Sequence, residues 1–275
     1  PAPPQMVRVD TPSGAPFFRL DIPNRKGDIP WQAVEQAAGK CRTRVLLPDG
    51  IKMPPQNNPK NNPMAHGASL DFGLRCFVPK RLPLLLALQT AQQVLRRCNT
   101  PAQHLSVTLV DPKCVLTRAI EPLVMLAGSL RVYTTDLASY RQTASLLLQR
   151  FGVTLILSDS PGCFANSNVV VAEDFSHFTG KERGMILTAN RTASLRACRI
   201  VRGTAPQLPP AFEALRPAGI DPLMFAGALF ELCGIKEMER LVFQELFSCV
   251  KNELVTVDDL AEQLDAQFLP FKDRA

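Results

Sequence analysis

From Leu105 onward, short apolar runs alternate with longer amphipathic stretches. "LSVTLVD", "LRVYTT", "VTLILSD", "NVVVAED" and "GMILTAN" read as strands. "VLTRAIEPLVMLAG" and "LASYRQTASLLLQRFG" read as helices ending at Gly128 and Gly152. Such Val/Ile/Leu-rich runs between helices predict parallel strands covered on both faces, with right-handed crossovers.

The flanks follow other rhythms. Ahead of Leu105, "PAPPQMVRVDTPSGAPFF" reads as a loose leader and "FFRLDIP" as a short strand. "DIPWQAVEQAAGKC" reads as a helix with Asp28 or Ile29 near its cap, Pro30 in its first turn and Gly39 past its end. "RTRVLLPDG" and "LDFGLRCFVP" read as strands around an Asn/Pro-rich loop, before the amphipathic helix "PLLLALQTAQQVLRRCN". After Ile200 a Pro-rich connector leads to three predicted helices. "IDPLMFAGALFELCG" has Asp221 as cap and Pro222 at its first position; "KEMERLVFQELFSCV" follows; "TVDDLAEQLDAQF" is capped by Thr256 with Asp259 three residues on. The expected layout is a small N-terminal α/β domain (1–100), a doubly wound, mostly parallel sheet (101–205), and C-terminal helices (206–275) that flank the sheet or return to the first domain.

Composition narrows the class. The 275 residues are 46% hydrophobic and 20% charged, which suits a soluble globular chain with a proper core. A net charge of +6 without a run of like charges describes a solvated surface and argues against a nucleic-acid footprint. The most apolar run, Leu82–Leu88, is too short to cross a bilayer. None of the eight cysteines forms a zinc-type close pair, so they read as free, reduced thiols and the expected compartment is the cytoplasm. The chain begins at Pro1, so an upstream segment removed by processing stays open.

The order of elements from Leu105 to about Asn190 resembles the Rossmann-type dinucleotide-binding domain. With a small domain ahead and helices behind, the layout is similar to shikimate-dehydrogenase-like enzymes. That resemblance implies a G-x-G-x-x-G turn after the first strand, and the three glycines would fall on Asp111, Lys113 and Leu116. Pro112 removes an N–H donor, Asp111 brings negative charge to where phosphates would lie, and Leu116 adds bulk. Lys113 supplies a cation but no row of oriented amides.

Asp136, after the second strand, reads either as a ribose ligand or as the cap of the following helix, and the pattern favours the cap. Lys80 in "FVPKRLP" sits in a setting similar to that family's catalytic lysine, but the partner Asn-Thr-Asp-type segment is missing, so a surface lysine is the better reading.

Other chemistry is sparse. His66, His104 and His177 are scattered, and no nucleophile elbow or P-loop appears. Cys163 in "SDSPGCF" reads as an exposed thiol or part of an ordinary turn; "TGKERG" reads as a solvated charged loop, with anion binding as the alternative. Trp31 is alone, and only Tyr133 and Tyr140 fall near the expected cleft. No catalytic residue and no metal ligand is assigned.

The expected function is a non-enzymatic or small-ligand-binding module with an eroded dinucleotide site and no cofactor. Its cleft would be lined by Asp111, Lys113, Thr134, Asp136 and Ser158, and its partner would be a small molecule or a protein. The alternative is an NAD- or NADP-dependent oxidoreductase that grips phosphate by an atypical turn.

Overall fold

In the computed structural model, which describes residues 5–21, 31–41, 45–46, 75–164, 166–173, 178, 182–189, 199–249 and 252–268, the N-terminal stretch pairs with itself. Strand β1 (Gln5–Asp10) runs antiparallel to β2 (Pro16–Asp21), with Val7 opposite Arg19. Gly14 takes the left-handed conformation in the connecting turn (φ 82°) and donates to the Thr11 carbonyl at 2.9 Å. The expected loose leader therefore contains a strand. Helix α1 (Trp31–Lys40) buries Val34 and Ala38 and runs through Gly39, where a terminus was expected. Strands β3 (Val45–Leu46) and β4 (Arg75–Cys76) pair in parallel. Asp28, Pro30 and the Asn/Pro-rich loop lie outside the described residues.

Helix α2 (Leu82–Arg97) forms where its amphipathic pattern places it, with Pro83 tolerated in the first turn and Arg96 and Arg97 in the last. Strands β5 (Ser106–Val110) and β6 (Ser129–Tyr133), helix α3 (Leu137–Phe151), and strands β7 (Leu155–Ser158), β8 (Val169–Ala172), β9 (Met185–Thr188) and β10 (Arg199–Gly203) follow. Asp136 caps α3, and Gly152 ends it in the left-handed conformation. Every residue of β8 and β9 is buried, as expected of central parallel strands. Each such apolar side chain contributes roughly 1.5–3 kcal/mol by leaving water. Helix α2 packs on β8 and β9, and α3 on β7.

One expected helix is absent. Residues 115–128 form turns around a short 3-10 segment, Glu121–Leu123. Its bonds close over three residues: Ala119 N–H to the Leu116 carbonyl at 2.8 Å, and Leu123 N–H to that of Ile120 at 3.0 Å. The cause is Pro122, which has no N–H and whose ring would strike the carbonyl one turn earlier. Leu116, Ile120 and Leu123 are buried all the same, so the segment keeps its core contacts without the helix.

Helices α4 (Pro210–Glu213) and α5 (Pro222–Glu231) come next. Asp221 caps α5 by accepting from Leu223 and Met224 N–H at 2.9 and 3.1 Å. The second expected helix after Ile200 is corrected: Lys236–Arg240 is a 3-10 turn, and Leu246–Ser248 is strand β11. Burial there alternates, with Leu241 and Phe243, then Leu246 and Ser248 inside, so a period of two overrides the helical reading. Strand β12 (Glu253–Val255) precedes helix α6 (Val257–Asp265), which carries the expected capping box between Thr256 and Asp259.

The result is a mixed α/β chain with an eight-stranded, mostly parallel sheet and six helices among the described residues. The sheet order is β12-β11-β10-β9-β8-β5-β6-β7; β7 through β10 are parallel, and β11 and β12 add an antiparallel edge. The chain divides into two units, one of residues 1–79 with 208–236 and one of 80–207 with 237–275. Helix α2 belongs to the second unit, with the sheet it packs on, although the sequence grouped it with the first hundred residues. In the first unit the Phe17 ring stands edge-on to that of Phe225, 5.6 Å between centroids. No helix of the described residues is long and apolar enough to cross a membrane.

Candidate functional site

The carboxyl ends of β5, β6 and β7 lie side by side, and each is followed by one of the polar residues singled out in the sequence. Asp111 follows β5, Thr134 follows β6, and Ser158 ends β7. The strand ladder continues through them: Asp111 N–H donates to the Tyr133 carbonyl at 2.9 Å, and Thr134 N–H to that of Ser158 at 3.0 Å. The loops at such strand ends are where open parallel sheets hold ligands.

Asp111 points inward and is fully buried. One carboxylate oxygen accepts from Val115 N–H at 3.0 Å. The other accepts from Leu116 N–H at 2.8 Å and from the Tyr140 hydroxyl at 2.5 Å. A buried carboxylate is tolerable only when so many donors converge on it. The Tyr140 phenol is pushed far above its ordinary range, first by burial and then by the Asp111 charge beside it. The two turn amides and the hydroxyl are all engaged inside the chain.

The turn between them contains the residue that takes the glycine-like conformation. Cys114, not 111, 113 or 116, has the left-handed backbone, with φ 54°. Its thiol lies 3.2 Å from the Thr134 hydroxyl and donates to the Asp136 carbonyl at 3.5 Å. Thr134 is fully buried, and its hydroxyl accepts from Asp136 N–H at 3.2 Å. The Thr135 hydroxyl donates to the Pro112 carbonyl at 3.1 Å, so the β5 and β6 turns are laced together.

Asp136 caps α3 by accepting from Ser139 N–H at 3.2 Å and from its hydroxyl at 2.5 Å, and those bonds hold its carboxyl below the usual range. Lys113 is exposed, with its ammonium 4.0 Å from Glu173 at the end of β8. The Ser158 hydroxyl accepts from Ser160 N–H at 3.1 Å, a local turn bond. The structure thus gathers all five residues at one end of the sheet, while Asp111, Thr134, Asp136 and Ser158 direct their polar groups at the chain itself.

Where the β5 and β8 ends diverge there is a shallow depression lined by Leu84, Val110, Pro112, Lys113, Val115 and Glu173, with Asp111 beneath. Its enclosed space is about 10 Å³, room for about one water molecule and far below the roughly 300–1,000 Å³ of ordinary ligand pockets.

The remaining candidates resolve individually. Lys80 is exposed just ahead of α2, and His104 is exposed in a short 3-10 turn. His66 and His177 lie outside the described residues, as does the first half of "TGKERG", Thr179 to Lys181. Cys163 is half-buried; burial pushes its thiol up despite the lowering influence of Ser158 and Arg131, so it is no activated nucleophile. Tyr133 and Tyr140 are core residues and present no stacking surface. Among the described residues no three metal-binding side chains cluster.

Sequence reasoning found Asp111 but missed its partners, the Val115 and Leu116 amides and the Tyr140 hydroxyl. The amides were assigned to a helix that does not form. The Asp111–Tyr140 bond spans elements, so no local spacing announces it. No protein-family model, curated protein or solved structure matches this chain.

Proposed function

We propose that this chain is a Rossmann-like binding module whose dinucleotide turn is filled by its own carboxylate, and that it does not work as an NAD- or NADP-dependent dehydrogenase. The strand order supports the scaffold. Taken from β5, the six parallel strands run 3-2-1-4-5-6, with the reversal between β5 and β8 where dinucleotide domains place their ligand. A small α/β domain ahead of α2 belongs to the same proposal.

The observation that carries the loss of nucleotide grip is the Asp111 carboxylate. In a phosphate-binding turn, amides just after the first strand and the N-terminus of the following helix face the diphosphate. Here the Val115 and Leu116 amides face Asp111, and Pro122 keeps the following helix from forming. A diphosphate would have to displace a hydrogen-bonded carboxylate while suffering repulsion from it. Lys113 alone, already drawn toward Glu173, offers one screened charge against those two costs.

The ligand is then a small molecule other than a dinucleotide, or a protein that reads the loops at this end of the sheet. Cys41, Cys98, Cys114, Cys163, Cys233 and Cys249 carry free thiols, which suits a cytoplasmic setting.

The test is thermal unfolding with NAD, NADP, adenosine nucleotides and S-adenosylmethionine. A ligand at a hundredfold excess over its dissociation constant adds about 2.7 kcal/mol of stability. No change in Tm with NAD or NADP is expected, and a clear upward shift with either would overturn the proposal.

A further inference from the structure

We draw no further inference here: the strongest candidate, the outer edge of β7 with the exposed apolar side chains of Leu146, Leu148 and Phe151 on α3 beside it, carries nothing because nothing in the structure shows what covers it.

Discussion

Asp111 holds its turn together as an anion would, and its partners set what its loss should do. Asp111→Ala leaves a buried amide, a part-buried amide and a buried hydroxyl without an acceptor, at roughly 1–3 kcal/mol each. Urea denaturation should therefore show a loss of at least about 3 kcal/mol. Tyr140→Phe removes one donor and leaves both amides bonded, so it should cost less, about 1.5–2 kcal/mol. The tyrosine also fixes an alkaline limit. Its phenol ionises well above the unfolded-state value of about 10, so its stabilisation is intact below that pH and is lost as pH rises past it. Unfolding followed from pH 9 to 11 should show a steep loss of stability that Tyr140→Phe blunts; identical profiles for the two proteins would contradict the buried Tyr140–Asp111 bond.

At the scale of elements, helix ends were the most legible features, because they depend on a few neighbouring residues. Asp136, Asp221 and Thr256 cap the helices that follow them, as their spacing implied. Thr256→Ala should lower stability by about 1 kcal/mol in the same denaturation assay, since Asp259 N–H then loses its acceptor at 3.1 Å. Legibility failed where one residue overrode a pattern. The apolar spacing of 115–128 suits a helix, but Pro122 forbids it, and the alternation that makes β11 a strand is buried in a stretch that also scans as helical. The C-terminal end of α2 contains a contact no local rule could supply. Asp265, at the end of α6, accepts from Asn99 and Thr100 N–H at 2.8 Å each, and from their side chains at 3.1 and 2.7 Å. Partial burial would raise its carboxyl, but those bonds outweigh it and hold the group below its ordinary value. A carboxyl lowered in the folded state stabilises above its unfolded value of about 3.9, and that contribution disappears as pH falls through the folded value. Asp265→Ala should cost about 2 kcal/mol at neutral pH and make acid unfolding below pH 4 less steep.

At the scale of the molecule, the parallel sheet was readable because its central strands are buried on both faces and so are uniformly apolar, as in Val169–Ala172. The edges were not. Strands β11 and β12 are short and come late in the chain, and β10 follows a stretch without a clear signal. For the candidate site, sequence put Asp111, Thr134 and Ser158 in one cleft, and the structure does gather them at one end of the sheet, but sequence took Asp111 for an obstacle to a ligand rather than the turn's own occupant. That distinction depends on where three donors point, which only folding decides. The most direct measurement is the two-dimensional amide NMR spectrum of the protein titrated with NADP. If Asp111 holds the turn, the Val115 and Leu116 signals keep their positions at every NADP concentration. A saturable movement of those two amides would mean that they face the cofactor's phosphates, and that Asp111 does not occupy the turn.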